Sequence, residues 1–348
     1  MSNINKSTNP LVSISCLTYN HADYIEEALN GFIKQETSFK FEVLIHDDAS
    51  TDGTEEIIRA YQQKYPQIIK PLYEKTNQWN KGRRGSAVFN FPRARGEYIA
   101  LCEGDDYWTD PLKLQKQVDF LETNKDFGTH AHNVMITGVE YDKTVNRLYH
   151  NSDYTGEITL NKIIDGFRLP TNSITFRSNL ISKLFQEEWM LKVRSVDKCL
   201  YLTLANHAKV FFDDQVMASY RKHPGGVVGS YDSWSYEKHI LIHKNQIFFW
   251  KNFKTYFFPK HQTEINKNIA KEHNLIALKA LRNRSYWTLF LSALRTARYN
   301  LKIFNELVSQ STPILSKRFY NSTQSFYLRF KIFGSKIKQR FISLLGIR

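Results

Sequence analysis

The chain has 348 residues, which suits one large domain with an appendage or two domains. Hydrophobic residues make up 42% of it and aromatic residues 14%, enough for a substantial core, which argues against global disorder. The formal charge is +14, yet residues 251–348 alone hold 19 Lys and Arg against 3 Asp and Glu. The basicity therefore belongs to the C-terminal third, and this split predicts two functional parts.

The cysteines and the N-terminus indicate the cellular compartment. Cys16, Cys102 and Cys199 lie far apart and form no CxxC motif, which favours a reducing environment over a disulfide scaffold or a zinc site. Residues 1–9 are polar and lack the apolar segment of a signal peptide, and we expect them to be disordered. No apolar run is long enough to predict a membrane-spanning helix. The sequence thus favours a cytoplasmic protein.

Strand-like and helix-like segments alternate along the N-terminal part. Apolar segments rich in β-branched residues predict four strands, at residues 11–18, 41–45, 68–73 and 98–102. Helical periodicity predicts helices after the first, second and fourth strands, and residues 87–95 look helical although they contain Pro92. Acidic residues at the helix starts predict N-terminal caps, at Asp23–Glu26, at Asp52–Glu55 and at Asp110 before Pro111.

This alternation predicts βαβ units with right-handed crossovers, and therefore a Rossmann-like α/β fold whose central sheet is mostly parallel and flanked by helices. Ligands of such sheets bind at the carboxyl ends of the strands. Polar residues follow three of the predicted strands at that edge. They are Thr18-Tyr19-Asn20, Asp47-Asp48, and Glu103 to Asp106. We expect the three groups to converge on one crevice.

The pattern changes after about residue 230, where the sequence predicts helices at residues 239–253, 265–282 and 287–302. Residues 307–348 contain no acidic residue and interleave Phe and Leu with Lys and Arg. That mixture suits a surface of anionic lipid headgroups, and the alternative is a helical cap with solvated charges. Charge alone would also allow nucleic acid, but no recognised binding motif is present and we expect none to bind.

The usual nucleotide signatures are missing from the N-terminal part. The first strand-to-helix turn reads TYNHAD rather than GxGxxG, which argues against a dinucleotide-binding domain, and no GxxxxGK[ST] motif indicates a P-loop. Asp47 and Asp48 leave a buried strand, where an unpaired carboxylate is costly. Asp48 is the better candidate to accept a hydrogen bond from a nucleoside base or ribose.

The segment CEGDDYWTDP, residues 102–111, concentrates acidic residues in a nearly neutral domain. Glu103 and Asp105 alternate, so on an extended chain they share a face. Mg²⁺ and Mn²⁺ prefer oxygen ligands and often combine few carboxylates with substrate phosphates. We therefore predict that Glu103, Asp105 and Asp106 hold a metal that binds a diphosphate. The alternative is a solvated turn before a helix, to which Asp110 belongs.

Three stretches together resemble the successive N-terminal motifs of family 2 glycosyltransferases with the GT-A fold: PLVSISCLTYNHADYIEEAL, EVLIHDDASTDGT and GEYIALCEGDDYWTDPLKLQKQVDFL. The resemblance covers about residues 10–225. It implies an inverting transferase that uses a nucleotide-diphosphate sugar and Mn²⁺ or Mg²⁺. The catalytic domain would span residues 10–230, with a nucleotide-binding half at 10–106 and an acceptor half at 107–230, and a basic helical region would follow at 231–348.

The resemblance also implies roles for individual residues. The DxD position of the family falls on Glu103-Gly104-Asp105, so Asp105 and then Asp106 are the implied metal ligands. Glu103 stands where Asp is commoner and would bind either the ribose or the metal. The stretch MASYRKHPGGVVGS resembles the segment that folds over the diphosphate. The implied nucleotide-binding residues are Thr18, Tyr19, Asn20, Asp48, Glu103, Arg84, Arg221 and His223.

An inverting transfer needs one base, which deprotonates the acceptor hydroxyl as it attacks the anomeric carbon. In similar proteins this base precedes a helix rich in Leu and Tyr, and Asp197 in RSVDKCLYLTLANHAKV matches it. The alternative for Asp197 is a helix N-cap, and Glu187 and Glu188 are weaker candidates for the base.

The functional hypothesis is an inverting glycosyltransferase of bacterial surface polysaccharide synthesis. It would move a sugar, from a UDP-sugar for preference, to a saccharide or lipid-linked saccharide acceptor. It would work at the inner face of the cell membrane, associating peripherally with anionic lipid through residues 307–348. The alternatives are a sugar-nucleotide-binding module without turnover and a nucleotidyltransferase.

Overall fold

The computed structural model describes residues 9–82, 85–140, 143–151, 153–193, 196–225, 235–257 and 259–319. The chain separates into two compact units, Met1–Trp234 and Ser235–Arg348. The first unit is an α/β domain and the second is helical. The predicted fold class, a mostly parallel sheet flanked by helices with a helical C-terminal extension, is confirmed.

The N-terminal unit is built around one sheet. Its strands are β1 (Val12–Thr18), β2 (Phe41–Asp47), β3 (Ile69–Tyr73), β4 (Tyr98–Leu101), β5 (Tyr107–Trp108), β6 (Phe127–Glu140), β7 (Lys143–Leu148), β8 (Gly156–Ile158), β9 (Thr175–Arg177) and β10 (Lys209–Lys222). Its helices are α1 (Ile25–Ile33), α2 (Thr54–Lys64), α3 (Ser86–Phe89), α4 (Lys113–Thr123), α5 (Leu160–Asp165), α6 (Glu188–Lys192) and α7 (Val196–His207). Short 3₁₀ turns lie at Trp79–Lys81, Phe91–Arg93, Thr171–Ser173 and Ser178–Lys183.

The strands of this sheet run in the order β3-β2-β1-β4-β9-β6-β10-β5, with β7 beside β6 and β8 beside β10. Parallel pairing joins β3, β2, β1 and β4, and it also joins the two longest strands, β6 and β10. The register pairs Thr18 with Asp47 and Ser15 with Leu101. The carboxyl ends of β1, β2 and β4 therefore meet at one edge, as the sequence predicts.

The core of this unit lies where helices cover the parallel strands. Strands β1 and β2 are buried on both faces, which explains their nearly continuous apolar sequences. Helix α1 packs its apolar face there through Ile25, Leu29 and Phe32, all fully buried. Deeply buried helices and strands of this kind hold the loops at the sheet edge in fixed positions.

The predicted helix caps differ from the structure. Helix α1 begins after Tyr24 without a side-chain cap, so the capping box at Asp23–Glu26 is wrong. At α2 the N-cap is Gly53, and Asp52 instead accepts hydrogen bonds from the backbone N–H and the hydroxyl of Thr54. Helix α4 begins at Lys113, two residues later than predicted, because Asp110 caps the preceding turn through the N–H of Leu112.

Two further segments correct the sequence analysis. The predicted helix over 87–95 is split into α3 and a 3₁₀ turn with Pro92 near its start. The predicted helix over 287–302 ends earlier, at Tyr299. Asn300 is extended there, and its side chain accepts a hydrogen bond from the N–H of Ile303 at 3.1 Å, which caps a new helix.

The C-terminal unit consists of long helices. They are α8 (Tyr236–Tyr256), α9 (Gln262–Arg282), α10 (Tyr286–Tyr299) and α11 (Leu301–Phe319). Alanine and leucine side chains of α9, α10 and α11 form its core, including Ala277, Leu289 and Leu307. Among the helices that the structure describes, none is long and apolar enough to cross a membrane.

Candidate active site

The loops after β1 and β2 are fastened to each other by polar contacts. Asn20 has a φ of 54°, in the left-handed region that asparagine tolerates better than most residues. Its backbone N–H donates to Oγ of Ser50, and its Oδ1 accepts from the N–H of Thr51, both at 2.9 Å. Tyr19 beside it is 45% exposed. Asn20 therefore shapes the edge of the crevice, while Tyr19 presents a free aromatic surface.

The two aspartates after β2 have different partners. Asp47 is fully buried and accepts hydrogen bonds from the N–H and the hydroxyl of Ser50. Asp48 accepts from the backbone N–H groups of Gln78 at 2.6 Å and Trp79 at 3.1 Å. The carboxylate of Asp48 thus holds the loop after β3 against the end of β2, and a nucleoside would share it with these two donors.

Thr18 and the acidic segment are in direct contact at the end of β1. The N–H of Gly104 donates to the carbonyl oxygen of Leu17 at 2.9 Å. A Cβ at position 104 would lie 2.8 Å from Oγ1 of Thr18 and 2.8 Å from Cδ1 of Ile25, so only glycine fits. Oγ1 of Thr18 is buried and has no hydrogen-bond partner among the described residues. It is available to a ligand group that enters the crevice.

The three acids of the segment sit in different environments. Burial, with the charge of Asp105, raises the pKa of Glu103 to about 8. Asp106 is 2% exposed, and burial raises its pKa well above the usual range although the N–H of Arg221 donates to its Oδ1 at 2.8 Å. Burial acts on Asp105 in the same direction, but a hydrogen bond from His223 and the charge of His21 hold its pKa below the usual value. Asp105 is therefore the acid whose surroundings favour the charged form.

Two histidines face Asp105 from different elements. Oδ2 of Asp105 lies 3.1 Å from Nε2 of His223 and 3.8 Å from Nε2 of His21. The ring of Tyr24 packs on His223, with 4.5 Å between the ring centroids. Burial lowers the pKa of His21, while the charge of Asp105 acts in the opposite direction. The end of β10 and the first strand-to-helix turn are thereby joined at the carboxylate of Asp105.

Arg221, on β10, contacts the same region. Its Nε donates to the carbonyl oxygen of Asp105 at 3.0 Å, and its guanidinium forms an ion pair with Glu27. The guanidinium carbon also lies 5.0 Å from the ring centroid of Tyr24 and 4.9 Å from that of Tyr107. Arg221 thus ties β10 to the acidic segment, and a phosphate would have to compete with Glu27 for it.

Asp197 lies in the first turn of α7, inside the helix rather than before it. Its residue surface is exposed, yet the surrounding protein raises the pKa of its carboxyl group by desolvation, against the effect of Lys198 and Arg168. The charge of Asp197 also contributes to the raised pKa of Glu103. Asp197 therefore lies within electrostatic reach of the acidic segment.

The neighbourhood of Asp197 includes residues that the sequence did not single out. The charge of Asp197 acts on the pKa of Tyr149 and Tyr201, which burial already raises. Tyr220 lies under the influence of the acidic segment in the same way. Only their positions in the fold reveal these tyrosines. By contrast, His21 and Tyr24 lie in the TYNHADY turn, where the motif itself was a signal.

The remaining sequence predictions concern Arg84, Glu188 and the residues of the cluster itself. Arg84 lies outside the described residues, although the neighbouring Gly85 packs so closely on Val196 that a Cβ would lie 3.0 Å from its Cγ1. Glu188 is exposed and pairs with Lys192. The remaining predicted residues, Thr18, Asn20, Asp48, Glu103, Asp105, Asp106, Asp197, Arg221 and His223, all lie around the carboxyl edge of β1, β2 and β4 or next to the acidic segment.

The donor atoms in this region fit a divalent cation only in part. Within the described ranges, no three His, Cys, Asp or Glu side chains are arranged to hold a metal ion together. Asp105 nevertheless offers a carboxylate that is 24% exposed and favoured in its charged form. Mg²⁺ commonly binds through one or two carboxylates and completes its shell with phosphate oxygens and water. The site fits a cation of that kind, brought together with a phosphate ligand.

Comparison with known proteins gives the following matches. Residues 13–183 match the family described as Glycosyl transferase family 2. A Mycobacterium tuberculosis protein named "Uncharacterized protein Rv1520" is 35% identical over 216 residues, which cover 62% of this chain and 60% of the relative. A Nostoc protein named "Uncharacterized glycosyltransferase alr2836" is 29% identical over 61% of this chain and 65% of its own length. The chain thus spans less than two thirds of these relatives.

More distant matches carry specific names. The Escherichia coli protein "UDP-Glc:alpha-D-GlcNAc-diphosphoundecaprenol beta-1,3-glucosyltransferase WfaP" is 34% identical over 134 residues, 37% of this chain and 50% of the relative. Among solved structures, S. aureus TarS 1–349 in complex with UDP-GlcNAc is 18% identical with a TM-score of 0.49, over 82% of this chain and 91% of that one. At that level the structural similarity adds nothing to the fold described above.

Proposed function

We propose that the protein is an inverting glycosyltransferase that uses a nucleotide-diphosphate sugar, because its residues 13–183 match glycosyl transferase family 2. The observation that carries the proposal is the electrostatic interaction between Asp197 and the acidic segment. A donor-binding carboxylate and a candidate base come from elements far apart in the chain, and the charge of Asp197 still acts on Glu103. A metal-held leaving group and a base on the acceptor side are what an inverting transfer requires.

Each side chain has a defined task in this proposal. Thr18, whose buried hydroxyl has no hydrogen-bond partner among the described residues, and Asp48 bind the nucleoside. Burial disfavours a charged Glu103, which favours a hydroxyl of the ribose over the metal as its partner. Asp105, and next to it Asp106, would hold Mn²⁺ or Mg²⁺ together with the diphosphate. The cation, when bound, neutralises charge on the departing diphosphate.

Asp197 removes the proton from the acceptor hydroxyl. A raised pKa makes its carboxylate a stronger base than an ordinary aspartate, while the N–H of Lys198 keeps it partly stabilised as the anion. Arg221 lies near the end of β10 and His223 directly after it, and we assign both side chains to the phosphates. His223 would have to release Asp105 for that carboxylate to hold a cation.

The donor and acceptor follow from the relatives. The name of the Escherichia coli relative specifies a UDP-sugar and an acceptor linked to diphosphoundecaprenol. We therefore propose a UDP-sugar donor and a saccharide or lipid-linked saccharide acceptor in bacterial surface polysaccharide synthesis. Such an acceptor requires a cytoplasmic enzyme at the inner face of the membrane, and the basic C-terminal region supplies an electrostatic reason for peripheral binding there.

Donor turnover tests the function. UDP-, GDP- and dTDP-sugars are incubated with the full chain and Mn²⁺ or Mg²⁺, a parallel reaction contains nucleoside triphosphates and a sugar phosphate instead, and nucleoside diphosphate and pyrophosphate are measured separately. The proposal expects nucleoside diphosphate from one donor class. Pyrophosphate from a nucleoside triphosphate would instead identify a nucleotidyltransferase, and binding without product would identify a binding module.

The base is tested with a matched pair of variants. Asp197→Asn keeps the shape of the side chain but removes its basicity, and kcat should fall by about 10²–10⁴ with little change in donor affinity. Glu188→Gln removes a nearby exposed carboxylate and should leave kcat unchanged. Equal kcat values for Asp197→Asn and the unchanged chain would remove Asp197 as the base.

Membrane binding is tested by flotation with vesicles that contain anionic lipid. The proposal concerns residues 307–348, of which 320–348 lie outside the described residues. Because Leu307 is buried in the core of the helical unit, the truncation should remove only residues 320–348. Loss of vesicle binding on truncation is expected, and equal binding of both forms would contradict this part of the proposal.

A further inference from the structure

The C-terminal unit contains a cavity that the proposed reaction does not use. It has a volume of about 510 Å³ and lies between α8, α9 and α10. Ligand pockets commonly measure about 300–1,000 Å³, so the cavity could hold a whole small molecule. Its residues recur at helical spacing on α8 and α10, which places one face of each helix toward the same space.

The cavity is lined by positive charge without compensating acids. Lys244, Lys251 and Arg295 line it, and none of the three has an ion-pair partner within the part of the chain that the structure describes. The charges of Arg295 and Lys251 both act on the buried His273, so they converge on one region. Of the three acids in residues 251–348, Glu272 is already bonded to His243 at 2.8 Å. Like charges held together in this way favour an anionic ligand.

A buried polar side chain of the cavity also lacks a hydrogen-bond partner among the described residues. His273 is 3% exposed, and neither ring nitrogen has a hydrogen-bond partner among the described residues. Burial, together with the charges of Arg295 and Lys251, lowers the pKa of His273 to about 4, so the ring is neutral and can both donate and accept. Buried polar groups without a partner are costly and usually mark the place of a missing ligand or water. The hydroxyls of Thr288 and Ser292 line the same space.

The other lining residues limit the chemistry of the ligand. Ile247 on α8, Ile276 on α9 and Leu291 on α10 add apolar surface to the lining beside the charges. A simple inorganic anion would leave that surface uncovered, whereas a phosphate ester with an apolar part would contact both kinds of surface. Arginine binds phosphate through two parallel N–H donors, and lysine adds a point charge.

We propose that the cavity between α8, α9 and α10 binds a phosphorylated ligand. Its phosphate or diphosphate group contacts Lys244, Lys251 and Arg295, and its apolar portion lies against Ile247, Ile276 and Leu291. The site is separate from the residues that would bind the sugar nucleotide, all of which lie in the N-terminal unit. A soluble compound and a lipid headgroup can both supply this phosphate, and the chemistry of recognition is the same for the two.

Two probes distinguish these sources in the full chain. Phenyl phosphate, which has both a phosphate and an apolar part, represents the soluble ligand, and vesicles of phosphatidylglycerol with phosphatidylcholine represent the lipid, with pure phosphatidylcholine as the blank. Hydrogen exchange of residues 244–251 and 288–296 reports occupancy of this cavity separately from binding at the N-terminal unit. Slower exchange of these segments with either probe is expected.

Variants decide whether the cavity is responsible. The double change Lys251→Gln with Arg295→Gln should weaken binding of the effective probe at least tenfold, because the phosphate loses two charged hydrogen-bond donors. Lys251→Arg with Arg295→Lys should restore most of the binding. Lys271→Gln with Arg298→Gln removes two exposed charges on α9 and α10 outside the cavity and should have little effect. If neither probe slows exchange there, or if the cavity and control variants weaken binding equally, the proposal is wrong.

Discussion

A change at Lys113 provides the most stringent test of the structure, because this buried lysine forms no ion pair with an acidic side chain among the described residues. It is the first residue of α4 and is fully buried. Its Nζ donates to Oε1 of Gln117 at 2.7 Å and lies 4.0 Å from the ring centroid of Trp108. Burial lowers its pKa to about 7, although Cys102 and Asp110 act in the opposite direction. The change Lys113→Met replaces this group with an unbranched apolar chain that can pack on Trp108.

The sign and the size follow from linkage. The pKa of Lys113 is about 7 in the folded protein, against about 10.4 for a free lysine, so between these values the unfolded chain binds more protons. The free energy of unfolding therefore rises with pH across that window, and the penalty for the buried ammonium is complete below about pH 7. Two pH units within the window correspond to about 3 kcal/mol. Lys113→Met has no ionisable group at this position, so its free energy of unfolding lacks this pH dependence.

Urea-induced unfolding between about pH 6 and pH 9 measures the effect. Lys113→Met should be at least as stable as the unchanged chain at the acidic end, because Gln117 still accepts a hydrogen bond from Thr175 at 2.6 Å. The difference in free energy of unfolding between Lys113→Met and the unchanged chain should fall by about 3 kcal/mol toward pH 9. Lys116→Met on the same helix removes a half-exposed lysine and should shift the pH dependence by less than about 1 kcal/mol. Parallel pH profiles for Lys113→Met and the unchanged chain would refute the reasoning.

Three further changes test the crevice. Asp48→Ala should lower the free energy of unfolding by about 2–4 kcal/mol in urea, because two backbone N–H groups at residues 78 and 79 lose their acceptor, and Asp48→Asn should cost roughly half as much. Gly104→Ala places a methyl group 2.8 Å from Thr18, and the donor KM should rise roughly tenfold in steady-state kinetics while the protein stays folded. Asn20→Gly keeps the φ of 54° but loses the contact with the loop after β2, which should cost about 1 kcal/mol in the same urea assay. An unchanged value in any of these measurements contradicts the corresponding contact.

The part of the site at the strand ends could be predicted because it depends on local periodicity. Buried β-branched strands alternating with helices require a parallel sheet, and a parallel sheet brings its carboxyl ends to one edge. The observed pairing of Thr18 with Asp47, and the hydrogen bond from Gly104 to Leu17, follow from that rule. The hydrogen-bond partners of the side chains cannot be deduced from that rule. Asp48 is satisfied by a loop about 30 residues later, and no spacing in the sequence announces it.

The second half of the sheet was much harder to predict. Strands β6 and β10 pair over their whole length, yet the register shifts near Lys209 and again between Asp213 and Ala218. Such irregularities break the two-residue alternation that marks a strand in a sequence. As a result, the contact between His223 and Asp105, separated by 118 positions, was not predicted, and the resemblance to a family implied only that both residues serve the diphosphate site. The periodicity of the chain carries no information about it.

The acidic segment shows why composition alone does not assign roles to carboxylates. Glu103, Asp105 and Asp106 are chemically alike and adjacent, but burial raises the pKa of the first and the last, whereas two histidines hold that of Asp105 down. A cation binds a charged carboxylate with accessible oxygens, and Asp105 best meets both conditions among the three. Glu103 and Asp106 contribute by lowering the number of competing charges around it, since three ionised acids in one buried segment would repel each other. In the proposed site, the environment that the fold provides through β10 and the first strand-to-helix turn makes Asp105 the candidate metal ligand.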